Sequence, residues 1–348
     1  MSVRTEQFGT MPDGRPVERY VLEGGGVEAA VLTYGAVLQS VRAPDAAGRP
    51  AEVTLGYDDL AGYLGDSQYL GAVVGRFANR IAKARFVLDG VEHVLPANHG
   101  AACLHGGPEG FHAQLWSARE VPGGVELSRT SPDGEMGFPG SLDVTVTYLL
   151  DESGLEVRYA ATTDGPTVVN LTQHAYWNLA GSGTVEDHVL RLAAASFVAV
   201  DADLIPTEVA PVEGSPMDFR SPRRVGDRVR APDPQLRYAR GYDHAWVLDD
   251  SQGLRTAAEL HDPRSGRTLE VLTDQPSVQF YSGNFLDGSI AGRGGTALRQ
   301  GDGLCLETQH LPDSPNRPDF PSTVLRPGEQ YATRTVFRLA ARPAEEVA

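Results

Sequence analysis

The feature that most constrains the fold of this chain is the even spread of turn-forming residues along its length. Glycine (39) and proline (24) together supply 63 of the 348 residues, a larger share than usual, and they do not gather in one linker. Because such residues interrupt helices, the sequence predicts many short elements joined by turns. No shift in composition divides the chain, so we expect a single domain over residues 1–348.

The segments between these turns alternate between apolar and polar residues. In "SLDVTVTYLL" the apolar residues from Leu142 to Tyr148 share one face, and "GLEVRYAATT" repeats the pattern after "DESG". Alternation with a period of two is typical of strands, and the short polar link predicts a β-hairpin. No amphipathic helix longer than a few turns is visible. The sequence therefore predicts an all-β fold, a large sandwich or barrel with few short helices.

Charge and motifs exclude several classes of partner and cofactor. The formal net charge of -16 repels nucleic acid and anionic membranes, so we expect neither as a partner. The single lysine, Lys83, follows Ala82, which rules out a GxxxxGK[ST] phosphate loop, and no GxGxxG follows a strand. Nucleotide cofactors are therefore not expected.

The cysteines and the N-terminal segment bear on the compartment. Cys103 and Cys305 are too few for a disulfide framework and fit a reducing environment. The segment "MSVRTEQFGTMPDGRPV" lacks the apolar run of a signal peptide. We therefore expect a cytoplasmic protein. Neither cysteine lies in a basic or helix-start context, so we expect buried packing residues rather than catalytic thiols.

Five segments place polar side chains beside glycines or aromatic residues in strand-like contexts. They are "VVGRFANRIAKARF" with Asn79 and Arg80, "CLHGGPEGF" with His105, "NLTQHAYWNLAG" with His174 and Tyr176, "GYDHAWVL" with Asp243, and the pair "VQFYSGN" and "CLETQH" with Gln279 and Glu307. Glu307 lies inside the apolar run "LCLETQ", and a carboxylate is rarely buried without a partner or a function. Strand periodicity places Glu307 on the same face as Cys305.

Structural explanations remain open for each of these residues taken alone. Residues such as His174 and His105 are more often hydrogen-bonded structural histidines than acids, and Arg80 with Asp243 equally forms a structural ion pair. The histidines of the chain are numerous enough for a metal site, but no HxH or HExxH spacing exists, so we expect no metal. The joint presence of the five segments is what needs explaining.

Taken together and in this order, the segments resemble the aldose 1-epimerase family, also called galactose mutarotases. The motifs that carry the resemblance are "GRFANRIAKARF", "CLHGG", "NLTQHAYWNLAG", "IPTEVAPVEGSPMDFR", "GYDHAWVL", "VQFYSGNFLDG" and "CLETQHLPDSPNRPDFPS". The similarity extends from about Tyr34 to "LRPGEQY" near the end of the chain. Several of these motifs are long and distinctive, so the resemblance is specific.

The resemblance implies a large single-domain β-sandwich, a galactose mutarotase-like supersandwich, with sugar bound in a cleft on one concave sheet. It implies interconversion of hexose anomers by ring opening and closure, with Glu307 as base and His174 as acid. It also implies sugar contacts from Asn79, Arg80, His105, Tyr176, Asp243 and Gln279. No metal or organic cofactor is implied; the expected partner is a small aldose, and the chain is expected to be a monomer or homodimer.

Two further expectations concern the chemistry of these residues. A histidine that acts as an acid near neutral pH should be charged, and Asp243 is a candidate to hold that charge on His174. The rings of Tyr176 and Trp177 are expected to pack on the apolar side of the sugar.

Two departures from the family pattern are visible. After "IPT" the family usually has a glycine before the glutamate, and here Glu208 follows Thr207 directly. In "GFHAQLW", His112 stands where an aspartate is common. Both are expected to be loop differences that affect sugar preference and leave the acid–base assignment intact.

Three other functions remain open at this point. A glycoside hydrolase would normally use two carboxylates, whereas the acid here is a histidine. A sugar-binding protein without catalysis would have no need for both Glu307 and His174. An epimerase of hexose 6-phosphates would need basic residues near the far end of the sugar, and the sequence does not place them.

Overall fold

The structure, a computed structural model, describes residues 2–65, 67–249 and 253–342. In this part of the chain the two α-helices are short, α1 Leu60–Leu64 and α2 Pro234–Ala239. The single turns of 3₁₀-helix are Ala82–Ala84, Phe111–Ala113, Glu135–Gly137, Val225–Asp227, Arg293–Gly295 and Ser314–Asn316. The prediction of few, short helices is confirmed.

Strands make up most of the regular structure. In chain order they are β1 Ser2–Thr10, β2 Pro16–Gly24, β3 Val27–Leu32, β4 Leu38–Pro44, β5 Pro50–Glu52, β6 Val73–Val74, β7 Arg80–Ile81, β8 Arg85–Leu88, β9 Val91–Val94, β10 Cys103–Leu104, β11 Ser117–Val121, β12 Gly124–Ser131, β13 Leu142–Asp151, β14 Gly154–Thr163, β15 Thr167–Val168, β16 Thr172–Gln173, β17 Tyr176–Trp177, β18 Val189–Leu192, β19 Ser196–Val200, β20 Pro206–Pro211, β21 Arg223–Arg224, β22 Asp243–Val247, β23 Arg255–His261, β24 Arg267–Thr273, β25 Ser277–Tyr281, β26 Asp287–Ala291, β27 Ala297–Arg299, β28 Leu304–Gln309, β29 Val324–Leu325 and β30 Tyr331–Ala341.

Most of these strands belong to three antiparallel sheets. The first has the order β1-β2-β3-β4-β5, the second β11-β12-β13-β14-β30-β24-β23-β18-β21, and the third β17-β28-β25-β22-β19-β20. The remaining strands pair in twos. The predicted hairpin is confirmed, since β13 and β14 pair from Leu142 with Thr163 to Asp151 with Gly154.

The three sheets share one hydrophobic core. It combines side chains such as Val31 of the first sheet, Leu127 and Val146 of the second, and Phe280 and Leu306 of the third. In β13, for example, alternate residues from Leu142 to Leu150 enter this core, as its periodicity predicts. The all-β sandwich is therefore the observed architecture. No helix among the described residues is long and apolar enough to cross a membrane.

Candidate active site

The third sheet turns its polar side chains to the face opposite the core. In β28, Leu304 and Leu306 belong to the core, while Cys305 and Glu307 alternate with them and contact His174 instead. A cleft of about 260 Å³ lies over this face. The strand periodicity that the sequence shows therefore explains how a carboxylate inside an apolar run reaches a cleft.

His174 faces Glu307 within this cleft. It follows β16, and its Nε2 atom lies 3.7 Å from Glu307 Oε1. Both residues are buried, with 5% and 2% of their surface exposed. Glu307 Oε2 has no hydrogen-bond partner among the described residues. A buried carboxylate oxygen without a donor is costly, so this arrangement suits a ligand that supplies one.

Burial controls the ionisation of this pair. It raises the pKa of Glu307 well above its usual value; Asp243 adds to the rise and Arg80 opposes it. Burial lowers the pKa of His174 to about 4, and Asp243 offsets only part of this. The expectation that Asp243 keeps His174 charged is therefore wrong for this structure, because lost hydration outweighs the attraction of the carboxylate. Because the pKa of Glu307 is raised and that of His174 is lowered, the proton that the pair shares is on Glu307.

The second ring nitrogen of His174 contacts a thiol. Cys305 Sγ lies 3.6 Å from His174 Nδ1, and both residues are buried. Burial raises the pKa of Cys305 well above its usual value, so the thiol stays neutral. A thiol is a weak donor and a weak acceptor, so Cys305 can pair with either tautomer of the ring. The prediction that Cys305 is buried is confirmed, but it missed this contact.

His105 lies beside His174, with ring centroids 5.1 Å apart. The backbone N–H of Asn79 donates to His105 Nδ1 over 3.1 Å. Burial lowers the pKa of His105 well below its usual value, so the ring is neutral and its proton is on Nε2. Gly106 lets this loop pass close to the chain, since a Cβ there would lie 1.9 Å from the carbonyl oxygen of Gly75.

The tautomer of His105 argues against a metal ion in the cleft. Ligand atoms of His105, His174 and Glu307 lie within 4.8 Å of one another, close enough for one cation. A histidine that binds metal normally donates its other ring N–H to an acceptor. In His105 that nitrogen accepts from the backbone instead, which leaves Nε2 protonated and unable to bind a cation. The donor set does not fit a metal and fits hydroxyl groups.

A charged pair lines the same cleft. Arg80 Nη2 lies 3.3 Å from Asp243 Oδ2, and both side chains are buried. Gln279 Nε2 donates to Asp243 Oδ1 over 2.6 Å, and the side-chain oxygen of Asn79 accepts the backbone N–H of Arg80 over 2.8 Å. Both oxygens of Asp243 are engaged, so this carboxylate positions Arg80 and is not a free acid.

Seven of the eight residues predicted from the sequence line the cleft: Asn79, Arg80, His105, His174, Tyr176, Asp243 and Glu307. The eighth, Gln279, is not among the lining residues and reaches the site through Asp243. The expectation for Trp177 is wrong. Alternation along β17 turns its ring into the core, where it is fully buried.

Several residues that line the cleft were not predicted as site residues, among them Tyr69, His99 and Phe285. The ring of Tyr69 lies 4.7 Å from that of His105 and 4.7 Å from that of His112. His112, which stands where the family commonly has an aspartate, therefore contacts the cleft residue Tyr69 and does not itself line the cleft. Tyr69, Asn79 and His105 all have left-handed backbone, with φ of 58°, 65° and 53°. Such conformations are rare outside glycine and cluster at functional sites.

Comparison with known proteins identifies the family. The sequence model of the family described as aldose 1-epimerase matches residues 18–338. Galactose mutarotase of Rattus norvegicus is 44% identical over 344 residues, 98% of this chain and 99% of that protein. Aldose 1-epimerase of Escherichia coli (strain K12) is 38% identical over 338 residues, 95% of this chain and 97% of that protein. A solved aldose epimerase homologue from C. elegans superimposes with a TM-score of 0.86 at 30% identity, covering 92% of this chain and 98% of that one. The chain therefore belongs to the aldose 1-epimerase family.

Proposed function

We propose that this carbohydrate isomerase interconverts the α and β anomers of hexoses such as galactose and glucose, with Glu307 as base and His174 as acid. The observation that carries the proposal is the approach of His174 Nε2 to within 3.7 Å of Glu307 Oε1 in a buried cleft. The relatives in rat and E. coli are named for galactose and for aldoses, which supports the substrate class.

Ring opening requires the C1 hydroxyl to lose a proton while the ring oxygen gains one. Glu307 takes the C1 proton, His174 gives its Nε2 proton to the ring oxygen, and the bond between C1 and that oxygen breaks to leave an aldehyde. After rotation about the C1–C2 bond, both transfers reverse on the other face of the aldehyde. Each positioned proton transfer typically accelerates a reaction by about two to four powers of ten.

The pair needs only one proton throughout this cycle. The proton is on His174 before ring opening and on Glu307 afterwards. The pKa of Glu307 is raised and that of His174 is lowered, so the free protein favours the arrangement with the proton on Glu307, the one that follows ring opening. A C1 hydroxyl that donates to Glu307 stabilises the carboxylate and lowers its pKa, so substrate binding shifts the proton toward His174.

The contact with Cys305 suits this role of His174. A ring that gives and takes its proton at Nε2 must keep the proton on Nδ1. Cys305 Sγ, 3.6 Å away, can accept that N–H. The proposal therefore makes Cys305 a positioning residue, which acts as acceptor in the tautomer whose Nε2 is free to receive a proton.

The remaining cleft residues hold the distal hydroxyls of the sugar. Arg80 offers a fork of N–H donors whose orientation Asp243 fixes, and His105 offers its Nε2 proton. The ring of Tyr176, 5.2 Å from that of His174, packs against the sugar. Gln279 acts through Asp243.

The proposal extends to the organisation of the protein. Residues from Ser67 to Glu307 line one cleft, which supports a single catalytic domain. Cys103 and Cys305 are both buried and free, which supports a reducing, cytoplasmic location. The chain is a monomer or a homodimer that needs no cofactor.

The alternative function for this cleft is that of a glycoside hydrolase. Such enzymes normally need two carboxylates that act on the substrate. Among the residues that the structure describes, the carboxylates that line this cleft are Glu307 and Asp243, and both oxygens of Asp243 are engaged by Arg80 and Gln279. The geometry therefore favours the epimerase.

Optical rotation tests the proposal. Freshly dissolved α-galactose and α-glucose are followed with wild-type protein, with His174→Asn, and with His93→Asn as the matched control on β9. We expect wild type and His93→Asn to speed the approach to equilibrium, and His174→Asn to lose about two to four powers of ten in rate. A wild-type rate equal to that of buffer would contradict the epimerase, and an active His174→Asn would contradict the acid assignment.

A further inference from the structure

Four neighbouring side chains, that of Glu307 among them, hold buried polar atoms without a protein partner. The described residues offer no hydrogen-bond partner to Glu307 Oε2, Gln279 Oε1, Thr172 Oγ1 or either amide atom of Gln309. All four residues are at most 2% exposed, and of the four only Glu307 lines the cleft. Buried polar groups nearly always have a partner, so this cluster needs one that comes from outside the chain.

Strand pairing places Gln279 and Gln309 beside Glu307. Gln279 on β25 pairs directly with Glu307 on β28. Gln309 lies two residues further along β28, so its side chain projects to the same face of the sheet. Directly paired side chains lie about 4.5–5.5 Å apart at Cβ, and residues two apart on one strand about 7 Å. The polar ends of all three side chains are therefore within reach of one small molecule.

Thr172 reaches the same place from the segment that carries His174. The pairing of β17 with β28, continued back toward β16, places His174 opposite Glu307 and Thr172 opposite Gln309. The first of these approaches is observed, at 3.7 Å. Asn170 holds this register at the far end, because its side chain bonds to the backbone just past the end of β28. Thr172 and His174 are two residues apart on one extended segment, so both face β28.

Gln279 and Glu307 meet at this place as two acceptors. Gln279 Nε2 donates to Asp243 Oδ1 over 2.6 Å, so only its oxygen remains for another partner. When Glu307 is ionised, its Oε2 can only accept as well. Two acceptors side by side need a group with two donors between them, and water is the smallest such group. The amide of Gln309 has N–H groups to donate to the oxygen of that water.

We propose that Gln309 and Gln279 hold one ordered water that donates a hydrogen bond to Glu307 Oε2, with Gln309 as a positioning residue for the proposed base. The inference rests on the proposed function of Glu307. Because Gln309 donates to the water and Gln279 accepts from it, the second hydrogen of the water points at Glu307. The hydroxyl of Thr172 donates to Gln309 Oε1, which keeps the amide from turning over.

A water held in this orientation stabilises only the charged form of Glu307. The titratable and charged groups of the described residues that face Glu307 are His174, His105, Arg80, Asp243, Cys305 and Tyr281. Of these, Arg80 carries the positive charge at neutral pH, and Asp243 is paired with it. The water therefore supplies a stabilisation of the carboxylate that the cleft otherwise lacks. A carboxylate has about four acceptor positions, so the C1 hydroxyl still finds one.

Crystallography tests the water directly. A high-resolution crystal structure of wild type should show a water within about 3.2 Å of Glu307 Oε2, Gln279 Oε1 and Gln309 Nε2. Gln309→Met keeps the length of the side chain but removes both amide groups, and the water should be lost or displaced from Glu307 in that variant.

The pH dependence tests what the water does. Without its fixed donor the carboxylate of Glu307 is harder to form, so the acidic limb of the pH profile of kcat should move up by about one to two pH units in Gln309→Met. KM should not change, because Gln309 does not line the cleft. The infrared C=O band of protonated Glu307, identified by its loss in Glu307→Gln, follows the same titration without turnover, and its midpoint should move equally.

Gln275→Met is the matched control. Gln275 is also a buried glutamine outside the cleft lining, and its Nε2 donates to the hydroxyls of Tyr331 and Thr333. This variant should lose stability but keep the acidic limb and the infrared midpoint of wild type. If Gln309→Met does not fold, Thr172→Val keeps the shape of its side chain and should move both midpoints in the same direction by less, because the amide of Gln309 can then turn over.

Two results would overturn the water site. They are a wild-type crystal structure without a water at this position, and variants of Gln309 and Thr172 that lose stability while both midpoints stay at the wild-type values. Polarimetry separates this inference from the proposed function. If the infrared midpoint moves as expected but wild type accelerates no mutarotation, the catalytic assignment fails and the water site stands. If mutarotation is fast but neither midpoint moves, the water site alone fails.

Discussion

Arg76 and Glu307 are both buried ionisable side chains, yet the protein surrounds them in opposite ways. The terminal nitrogens of Arg76 donate to the carbonyl oxygens of Pro139 (2.8 Å) and Gly140 (2.7 Å) and to the hydroxyl and carbonyl oxygens of Ser131. Glu307 has only the ring of His174 at 3.7 Å, and its Oε2 has no partner among the described residues.

We infer that the difference separates a structural charge, Arg76, from the proposed catalytic group, Glu307. The terminal nitrogens of Arg76 are directed mostly at backbone oxygens of neighbouring loops, so they tie those loops together and leave little capacity for a ligand. A buried carboxylate with an unused oxygen keeps its hydrogen-bonding capacity for something that comes from outside. Arg76 should therefore govern the stability of the fold, and Glu307 the activity of the protein.

The largest expected effect is the loss of activity in Glu307→Gln. The amide keeps the shape of the side chain but cannot accept the C1 proton, so the rate of mutarotation should fall by about two to four powers of ten. The free energy of unfolding at neutral pH should not fall, because a neutral side chain replaces a group that is costly to ionise. Polarimetry and urea denaturation measure the two quantities.

Glu259→Gln is the control for this prediction, since Glu259 is half exposed on β23 and does not line the cleft. If Glu307→Gln unfolds more readily than wild type at neutral pH, then Glu307, like Arg76, stabilises the fold, and the distinction between these two buried groups is wrong.

The next effect is the loss of stability in Arg76→Leu. Each buried carbonyl left without a donor costs about 1–3 kcal/mol, so the free energy of unfolding should fall by about 3 kcal/mol or more. Activity per folded molecule should stay near that of wild type, because Arg76 does not line the cleft. Urea denaturation followed by tryptophan fluorescence measures the first, and polarimetry at low temperature the second.

Arg119→Leu is the matched control for Arg76→Leu, because the Arg119 side chain is 68% exposed and its removal should change stability by less than about 0.5 kcal/mol. If Arg76→Leu does not accumulate as folded protein, Arg76→Lys keeps the charge with fewer donors and should lose part of the same stability. A fully stable Arg76→Leu variant would show that the hydrogen bonds of Arg76 are dispensable.

The pH dependence of stability sharpens the comparison. Burial raises the pKa of Glu307, so between its unfolded value of about 4.3 and the higher folded value the unfolded chain binds fewer protons than the folded one. Glu307 therefore favours the folded state at low pH, and this contribution is lost as pH rises through that window. The stability of wild type relative to Glu307→Gln should fall as pH rises from about 5 through neutral pH, by at most about 1.4 kcal/mol per pH unit.

Arg76 provides the contrast in the same titration. Burial lowers its pKa to about 10, which still lies above this pH range, so the stability difference between wild type and a folded Arg76 variant should be flat. Denaturation curves at a series of pH values give both differences. A flat difference for Glu307→Gln as well would mean that the carboxyl group ionises as readily in the folded protein as in the unfolded chain.

Sequence reasoning located Glu307 correctly because the relevant signal is local. Alternation in "LCLETQ" is enough to place Glu307 with Cys305 and opposite the leucines, and the structure has this arrangement. The hairpin of β13 and β14 was readable for the same reason. The expectation for Trp177 failed because it did not apply this alternation: Tyr176 and Trp177 are neighbours on β17, so their rings face opposite sides, and that of Trp177 lies in the core.

The contacts of Arg76 and the aromatic residues of the cleft could not be predicted from the sequence. The contacts of Arg76 lie 55 to 91 residues away along the chain, so they depend on how loops assemble in three dimensions. Tyr69 reaches the cleft because its backbone is left-handed, and no residue type in its segment predicts this conformation. The titration of His174 was also misjudged, since the cost of burial depends on the depth of the cleft, which a sequence does not contain.

The smallest expected effect is that of Cys305, which supports His174 through a weak hydrogen bond. In Cys305→Ala the Nδ1–H of His174 loses the sulfur atom as an acceptor, so the other tautomer gains population and the rate of mutarotation should fall by up to about tenfold. Cys305→Ser supplies a hydroxyl that can accept and should restore most of the rate. Cys103→Ala is the control, because Cys103 is also buried but packs in a separate apolar cluster. Nitrogen NMR of His174 should show more Nε2–H tautomer in Cys305→Ala than in wild type, a change that a loss of packing alone would not produce. If the rate falls while the tautomer stays unchanged, Cys305 is only a packing residue. In that case Glu307 and His174 alone would be buried for a catalytic reason.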